Sequence, residues 1–495
     1  MPRGRCAGYG LALLVGSVLL LMTASAAALS LALDDDRISL HARGASLSDL
    51  MHQFAHFGVD VAFDPAIDVR ITANVDGASL ERTLEELLDA FTYVLTWDVV
   101  PGPLGPLTRL AEIAVYTPGQ RERAQPLPDV FSDFQVVRAG DGSGVEFIAD
   151  EIIIGFAPGA DINAIRVLIR ELGGTVVDSL PDLGLYRIRL PPGTNIPALV
   201  ARLARNPLVA EAEPNYAYRL PPTQPRTGAA SPNLQTVPVP RPDAAPVAVL
   251  DSGLSMMPEL DGLVLGGYNA LHPNRDPVDV AGHGTQMALI ASGALSPDGR
   301  STDAGVPVLA IRSFDDQGVT SNFAMMRSIL HAASEGARVL NLSWGSEINS
   351  PFMEDTLRTA RQRGLLVVAS AGNEPTNRPV YPAAYEGVIA VSATLPDGQP
   401  WPSSNYGDFV TIGAPGTASF PIGFHGGPGA YAGTSIASAY VSHAIGLYLQ
   451  QHPRATPTQV LRALTQAVQA DGTPRNPQTG YGVLTQDALK RFLGR

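Results

Sequence analysis

Three polar residues near the ends of predicted elements could together perform nucleophilic catalysis: Asp251, His283 and Ser435. A serine hydroxyl is a weak nucleophile at neutral pH and needs a base within hydrogen-bonding distance, which a histidine can supply. A carboxylate can hold that imidazole in the required tautomer. Each motif alone has an ordinary explanation, because Gly-Thr-Ser is also a good helix N-cap and Asp-Ser-Gly is also a turn signal. Their joint occurrence, in the order Asp, His, Ser, favours catalysis.

The surrounding segments predict how the chain would position these residues. Apolar strands alternate with helices from residue 244 onward, which predicts a parallel α/β sheet. Asp251 follows the apolar strand 247–250, and open α/β sheets place their sites at such strand ends. His283 opens a helix, and Ser435 lies at the N-terminus of a second, largely apolar helix. Unpaired N–H groups and the helix dipole at that end favour a developing negative charge.

Further motifs resemble those of the subtilisin-like serine proteases. The strand that ends in Asn-Leu-Ser-Trp-Gly resembles the substrate-binding strand of that family, and Leu366–Asn373 resembles the strand that ends in its oxyanion asparagine. Tyr381-Pro-Ala, Ser404-Asn-Tyr-Gly and Ala414-Pro-Gly also fit the family pattern. The order Asp, His, Ser is that of subtilisin as well. The resemblance spans 244–495 and implies a subtilisin-like fold and peptide-bond hydrolysis.

The resemblance also implies a role for each residue of the site. Asp251, His283 and Ser435 would form the catalytic triad, and Asn373 would donate its side-chain amide to the tetrahedral oxyanion. A backbone edge would bind the substrate as an added strand, which gives affinity with little sequence preference. That edge and the first specificity pocket beside it comprise Ser343, Trp344, Gly345, Ala371, Gly372 and Val380.

The sequence departs from the family pattern at a few positions. Ala439 stands four residues after Ser435, where the family usually has proline. Since alanine is the better helix former, we expect a changed first helical turn and unchanged chemistry. The branched Val380 predicts a shallow first specificity pocket. No cofactor is expected for catalysis; Glu259 and nearby acids could serve the calcium site of many relatives, although one carboxylate is more typical of a solvated charge.

The segment 145–220 has the predicted order β-α-β-β-α-β. This order and the motif Glu-Pro-Asn-Tyr216 resemble the inhibitor propeptide of subtilisin-like proteases, while a ferredoxin-like domain of another function has the same pattern. The resemblance implies that its last strand lies in the active-site cleft. Residues 221–243 are rich in proline and small polar residues, which predicts an exposed, easily cut linker. We therefore expect Ser435 to cut its own chain within 219–243.

An internal repeat marks the N-terminal module, residues 36–116. Gly-Ala-Ser-Leu begins at Gly44 and again at Gly77, each time before an amphipathic helix and an alternating strand. The module resembles the short N-terminal domain of secretins and TonB-dependent receptors, which implies an envelope protein partner. A generic small α+β domain is the alternative. Residues 117–144 read as a linker between this module and the next domain.

The N-terminus predicts export from the cytoplasm. Residues 1–28 combine Arg3 and Arg5 with an apolar run and small residues, as is typical of a signal peptide. A membrane anchor is the alternative, but the apolar run 11–22 is well short of the roughly 20 residues needed to span a bilayer. The lone cysteine, Cys6, lies in this leader. The mature chain would then have neither disulfides nor a cysteine nucleophile.

Size and charge agree with an exported multidomain enzyme. The chain has 495 residues, enough for about two to four domains, and its net charge of −13 argues against a nucleic-acid partner. We expect an α/β protein: a parallel-sheet, subtilisin-like catalytic domain at 244–495 after two small α+β domains. It would be a self-processing zymogen, secreted across the inner membrane to a periplasmic or extracellular location, acting on polypeptide substrates. The alternatives are a non-catalytic binding protein on the same fold, which the complete triad disfavours, and a dedicated processing protease tied to an envelope partner.

Overall fold

The computed structural model describes most of the chain from residue 28 to residue 495. The described ranges are 28–34, 37–56, 59–102, 105–127, 134–140, 142–221, 224–226, 234, 236–241, 244–297, 304–423, 428–469 and 474–495. The expected signal peptide, 1–28, lies outside them except for its last residue, and Cys6 lies outside them too. Within these ranges, no helix has the length and apolar character needed to cross a membrane.

The N-terminal module folds as two β-α-β units, as the repeat predicts. Its elements are β1 (Ala28–Asp34), β2 (Arg37–Ser46), α1 (Leu47–His56), β3 (Asp60–Phe63), β4 (Arg70–Ser79), α2 (Leu80–Leu88), β5 (Thr92–Gly102), β6 (Gly105–Tyr116) and β7 (Gln125–Pro126). The first strands of the two units, β2 and β4, pair antiparallel beside β1, and β5, β6, β3 and β7 form a second sheet. Ser46 and Ser79 cap the helices by accepting from the N–H groups of Asp49 and Arg82.

The predicted linker 117–144 differs from expectation because short strands lie within it. β7 pairs with β3, and β8 (Val136–Arg138) pairs with the next strand, β9 (Glu146–Phe156). The Phe134 side chain is buried. In its described part, this segment therefore adds to sheet edges of both small domains, where its backbone N–H and C=O groups find partners.

The propeptide-like domain has the predicted order of elements. After β9 come α3 (Ile162–Glu171), β10 (Thr175–Leu180), β11 (Leu185–Arg189), α4 (Ile196–Leu203) and β12 (Val209–Arg219). The sheet order is β10-β11-β9-β12, with antiparallel pairs throughout. Asp161 and Asn195 cap the two helices through their side chains. Both helices pack apolar faces on this sheet and form a core of their own.

The remaining elements lie in the expected catalytic domain, except for the first of them, which belongs to the linker 221–243. They are β13 (Gln224–Arg226), β14 (Val247–Asp251), β15 (Val264–Asn269), α5 (His283–Ser292), β16 (Val308–Arg312), β17 (Val319–Ser321), α6 (Asn322–Ser334), β18 (Val339–Leu342), α7 (Pro351–Gln362), β19 (Leu366–Ser370), β20 (Ile389–Thr394), β21 (Ile412–Pro415), β22 (Thr417–Phe420), β23 (Gly429–Ala432), α8 (Thr434–Gln451), α9 (Pro457–Val468) and α10 (Gln486–Phe492). The central sheet has the order β15-β16-β14-β18-β19-β20-β21, and every pair in it is parallel.

Helices cover both faces of this sheet, which explains why its strands are almost continuously apolar. Along β14, Val247 and Val249 belong to the core formed with α5 and α8, whereas Ala248 and Leu250 belong to the core formed with α6 and α7. α8 is buried over most of its length, as its composition predicts. It continues without a break through Ala439, the position where the family usually has proline.

The described parts of the expected exposed linker 221–243 lie against the catalytic domain. β13 pairs antiparallel with β23, and Val237 is 6% exposed and belongs to the core around α5 and α8. The expected exposure of the linker is found at Val239, whose side chain is 66% exposed. The proline-rich composition predicts an irregular segment. Part of it nevertheless forms a strand, because β23 is an edge strand whose backbone groups pair with β13.

Candidate active site

Asp251 and His283 form the first pair of the site. Asp251 is the last residue of β14, and its Oδ1 lies 2.7 Å from His283 Nδ1 at the start of α5. Oδ1 also accepts from the Ser252 N–H at 2.8 Å. Both side chains are buried, with exposed fractions of 1% and 0%. The contact fixes the orientation of the imidazole and leaves Nε2 as the ring nitrogen that can take a proton.

Two further residues hold the start of α5 against the end of β14. Ser252 Oγ accepts from the Gly284 N–H at 2.9 Å. Asp279 caps the helix by accepting from the N–H groups of Gly282 at 2.7 Å and Thr285 at 2.8 Å. Gly284 has no room for a side chain, because a Cβ there would overlap the backbone of Gly253. Gly284 therefore allows the close approach of helix and strand on which the pair depends.

The environment of His283 favours its protonated form. Burial opposes protonation, but the charge of Asp251, its hydrogen bond and the charge of Asp279 outweigh burial and raise the pKa of His283 above its ordinary value. An imidazole held this way is a stronger base toward a hydroxyl group.

Ser435 lies in the first turn of α8, as the sequence predicts, and is buried. Its hydroxyl donates to the Ser343 carbonyl oxygen at 3.1 Å. Ser343 in turn is held by Asn341, whose Nδ2 donates to Ser343 Oγ at 2.7 Å. The predicted nucleophile and the predicted substrate-binding edge are thus in direct contact. Rotation about the Cα–Cβ bond of Ser435 would be needed to aim its hydroxyl at another acceptor.

Asn373 lies beside Ser435 and is oriented by Thr434. Asn373 Oδ1 accepts from the Thr434 backbone N–H at 2.9 Å and from the Thr434 hydroxyl at 2.8 Å. Its Nδ2 is buried and has no hydrogen-bond partner among the described residues. An unpaired buried donor is costly unless a ligand uses it. The Asn373 Nδ2 group is therefore available to donate a hydrogen bond beside Ser435, the predicted nucleophile.

The expected specificity pocket is assembled from two strand ends and Val380. A Cβ on Gly345 would overlap the Val380 side chain, and one on Gly372 would lie 3.5 Å from it. Asn405 fixes this wall, because its Nδ2 donates to the carbonyl oxygen of Ala371 at 3.1 Å and its N–H donates to that of Gly372 at 2.8 Å. The Val380 side chain therefore fills space between the two strand ends.

Trp344 has a different surrounding from the rest of this set. Its indole is 1% exposed and stacks on Tyr218 of the propeptide-like domain, with ring centroids 4.7 Å apart, and meets Phe314 at an edge. Tyr218 OH donates to Asn322 Oδ1 at 3.1 Å. Trp344 is thus packed between aromatic side chains of the propeptide-like domain and of the catalytic domain.

Two edges of the catalytic domain pair with the chain, one at the end of the propeptide-like domain and one from Gln224. β12 pairs antiparallel with β17, and the Leu220 N–H then donates to the Gly318 carbonyl oxygen at 2.9 Å. Four residues later, β13 begins at Gln224 and pairs with β23, which ends three residues before Ser435. The catalytic domain therefore pairs with the chain up to Leu220 and again from Gln224.

The propeptide-like domain also caps two helices of the catalytic domain. Asn215 Oδ1 accepts from the Phe323 N–H at the start of α6, at 3.0 Å. Glu213 Oε1 accepts from Asn322 Nδ2 at 2.5 Å and from the Ser350 hydroxyl at 2.6 Å, where α7 begins. Burial raises the pKa of Glu213 to about 8; the Ser350 hydrogen bond opposes the rise and the charge of Glu211 adds to it.

Metal-binding residues are not grouped in the described part of the chain. There, no cluster of three or more His, Cys, Asp and Glu side chains could hold a metal ion. Glu259 lies in a short 3₁₀ helix, Pro258–Leu260, and has one buried carboxylate oxygen without a hydrogen-bond partner among the described residues. One carboxylate does not supply the six to eight oxygen ligands that calcium prefers.

Sequence reasoning missed the residues that position the site. Thr434, which orients Asn373, stands next to the predicted nucleophile, and a hydroxyl there is a signal that could have been used. Asp279 lies four residues before His283 and fits a helix cap. Asn405 and Glu213 act on segments far away in sequence, so no local pattern reveals their partners.

Comparison with known proteins places both major regions. The profile of the Subtilase family matches residues 243–483, and that of the Fervidolysin N-terminal prodomain matches residues 135–215. Thermophilic serine proteinase from Bacillus sp. (strain AK1) is 32% identical over 325 residues, which cover 62% of this chain and 79% of that protein. Thermitase from Thermoactinomyces vulgaris is 32% identical over 213 residues, 42% of this chain and 75% of that protein. The crystal structure of fervidolysin from Fervidobacterium pennivorans matches with a TM-score of 0.59 at 23% identity, over 74% of this chain and 64% of that one.

These matches and the parallel α/β sheet define a serine endopeptidase with a subtilisin-like fold. The chain belongs to the subtilase family. Its prodomain implies that it is made as a zymogen, and catalysis in this family needs no cofactor. The N-terminal module lies outside both profile matches, so its resemblance to the secretin and TonB domains stays a prediction.

Proposed function

We propose that this subtilase hydrolyses peptide bonds through an acyl-enzyme on Ser435, with His283 as base and Asp251 as the group that orients it. The observation that carries this proposal is the 2.7 Å contact between Asp251 and His283, made where β14 meets α5. The first turn of α8, which carries Ser435, and the free donor of Asn373 lie in the same region. A non-catalytic binding protein would have no need of this buried, charged arrangement.

The proposed reaction has two halves. Ser435 Oγ attacks the substrate carbonyl carbon while its proton passes to His283 Nε2, and Asn373 Nδ2 and the Ser435 backbone N–H stabilise the oxyanion. The C–N bond then breaks as the imidazolium gives its proton to the leaving amine. In the second half, a water molecule gives a proton to His283 and attacks the acyl ester. The ester bond to Ser435 Oγ then breaks, the imidazolium returns the proton to Ser435, and the carboxylic acid product is released. Asp251 stabilises the imidazolium in both halves.

We also propose that the first substrate is the chain itself. β12 and β13 add as strands to β17 and β23 of the catalytic domain, which is the mode expected for a substrate in an extended conformation. Cleavage between these strands would release the mature protease. The prodomain, which keeps its contacts with β17, α6 and α7, would remain as an inhibitor.

Export and cleavage of extracytoplasmic polypeptides complete the proposal. The predicted signal peptide, 1–28, supports secretion across the inner membrane, with a periplasmic or extracellular site of action. A dedicated processing protease would need an external partner for the N-terminal module. In this structure the module instead contacts the catalytic domain of its own chain.

The nucleophile is tested with a fluorophosphonate probe on the mature enzyme. We expect labelling at Ser435 alone, and loss of labelling and peptide hydrolysis in Ser435→Ala. Ser334→Ala, at an exposed serine in α6, is the matched control and should behave as wild type. Activity that survives Ser435→Ala, or labelling at another residue, would exclude the assignment.

A further inference from the structure

The N-terminal module touches the catalytic domain through a sheltered carboxylate. Asp60, the first residue of β3, has its Oδ1 2.9 Å from Arg275 Nε and 3.4 Å from His272 Nδ1. The side chains of Asp60, His272 and Arg275 are 13%, 10% and 23% exposed. Charges so little exposed are screened by salt much less than a surface pair is.

The two sides of this contact match in charge. Burial opposes ionisation of Asp60, but the nearby His272 and the charge of Arg275 outweigh burial and keep the pKa of Asp60 below its ordinary value. The carboxylate is therefore charged at neutral pH and faces a guanidinium that is always charged. Removing one member of such a pair leaves the other charge sheltered from water without compensation.

The loop that carries His272 and Arg275 supports the active site. It follows β15 and is ordered by Asn269, whose Oδ1 accepts from the N–H groups of Leu271 at 3.1 Å and His272 at 3.0 Å. The same stretch of chain continues to Asp279, which caps the helix that begins with His283. The N-terminal module thus contacts a segment that lies close in sequence to His283, the proposed catalytic base.

The prodomain reaches the same loop. Leu271 packs against buried residues contributed by the linker, the prodomain and the catalytic domain: Phe134, Ile148, Ala217 and Val319. Arg327 of α6 donates to the Ala270 carbonyl oxygen at 3.0 Å and also pairs with Asp178 of the prodomain. Module and prodomain therefore both contact the segment 270–275, and the prodomain also binds β17, α6 and α7.

We propose that the N-terminal module is a second anchor of the inhibitory segment, binding the protease through Asp60 on the His272–Arg275 loop. The proposal rests on the self-processing proposed above. Cleavage after the prodomain leaves module and prodomain joined in one fragment that holds the protease at two places, with β12 on β17 and Asp60 on the loop. Because each linked contact raises the effective concentration of the other, the fragment dissociates more slowly than one contact alone would allow. The partner of this surface is the chain's own protease.

The anchor is first tested without cleavage, by hydrogen exchange in the full-length Ser435→Ala chain. Asp60→Asn in this background should speed amide exchange in segments 59–64 and 269–276, because the contact that closes them is weakened. Asp68→Asn, which changes an exposed acid of the same module, is the matched control and should leave both segments unchanged. Unchanged exchange in the Asp60→Asn chain overturns the proposal.

The second test uses the full chain with Ser435 intact and follows release of the N-terminal fragment after self-cleavage. Asp60→Asn and Arg275→Gln should each speed release about tenfold or more, and the double variant should be no faster than either single variant, as for coupled partners. The reversed pair, Asp60→Arg with Arg275→Asp, should slow release again, which a folding defect would not do. Additive effects contradict the anchor. A chain that is never cut contradicts self-processing instead, and the exchange result then decides the anchor alone.

Discussion

Thr434 holds the oxygen of the Asn373 side chain through two hydrogen bonds, one from its backbone N–H and one from its hydroxyl, at 2.9 and 2.8 Å. An asparagine amide has one acceptor oxygen and one donor nitrogen. Because Thr434 holds the oxygen, the nitrogen is the end that can bind another group. The nitrogen, buried and without a partner among the described residues, is available for a charge that exists only during reaction.

Removing that donor should slow the chemical step and leave substrate binding nearly unchanged. For Asn373→Ala we expect kcat to fall by about 10²–10³, a magnitude established on subtilisin rather than on this chain. KM should change little, because the interaction forms in the transition state. Steady-state kinetics on a small peptide substrate separate the two constants. A rise in KM alone would mean that Asn373 holds the substrate.

Thr434→Val tests how Asn373 is oriented. The variant loses the hydrogen bond from the hydroxyl to Asn373 and the one that the hydroxyl accepts from the Gly372 N–H. It keeps the backbone hydrogen bond to Asn373, so we expect a smaller loss in kcat than for Asn373→Ala, about tenfold. Thr434→Ser keeps a hydroxyl and should retain most of the activity. If Thr434→Val and Thr434→Ser are equally impaired, the hydroxyl is not what positions the amide.

The activity should fall on the acid side as His283 is protonated. Asp251 raises the pKa of His283 above its ordinary 6.5 or so, and only the neutral imidazole accepts the serine proton. The kcat/KM of the mature enzyme should therefore decrease as the pH drops through that raised pKa. In Asp251→Asn the acid limb should move to lower pH, because burial is then opposed only by the charge of Asp279, while kcat falls by about 10⁴. An acid limb that stays in place would contradict the pairing.

The first specificity pocket should be shallow because Val380 occupies it from one side. Its overlap with the space of a side chain at Gly345 supports this prediction. The wild-type enzyme should prefer small or medium apolar residues before the cut, and Val380→Gly should extend acceptance to Phe and Tyr. Val380→Ala should be intermediate. A peptide library profile dominated by large aromatic residues in the wild type would show that the pocket is open.

Local patterns predicted most of the elements and the candidate residues of the site, but not the contacts that position them. The order of strands and helices follows from apolar periodicity and caps, and Asp251, His283 and Ser435 follow from motifs at element ends. The contact of Asp60 with Arg275 joins residues far apart in sequence, and either charge alone reads as solvated surface. Val237 was expected on an exposed linker because proline-rich composition says nothing about a neighbouring sheet edge.

Proton uptake by Glu213 should make the inhibitory contact stronger at lower pH. An unpaired glutamate titrates near 4.3, whereas burial raises the pKa of Glu213 to about 8 in the complex. The contact is therefore fully favoured below the lower value and weakens as the pH rises toward about 8. Gel filtration of the self-cut complex at pH 5, 6, 7 and 8 should show increasing release of the N-terminal fragment. Glu213→Gln should remove this dependence; a dependence that persists would place the proton elsewhere.

Self-cleavage should occur between Leu220 and Gln224, the residues that the two catalytic-domain edges hold. Residues 222 and 223 lie outside the described residues, so the choice among the bonds comes from chemistry. Three of the nearby bonds, after Leu220, Pro221 and Gln224, precede a proline, whose ring nitrogen is a crowded leaving group.

The bond that remains best suited is Thr223–Gln224. A cut after Pro222 would place a residue without an N–H where substrate backbone should pair with Ser343. Thr223 has an N–H and a side chain small enough for a pocket limited by Val380. Intact mass of the mature enzyme should therefore give Gln224 as its first residue, while purified Ser435→Ala stays full length apart from its signal peptide. Thr223→Pro should block the cut, and Thr227→Pro, the matched control, should not. If Ser435→Ala is trimmed to the same size without added protease, another enzyme performs the maturation.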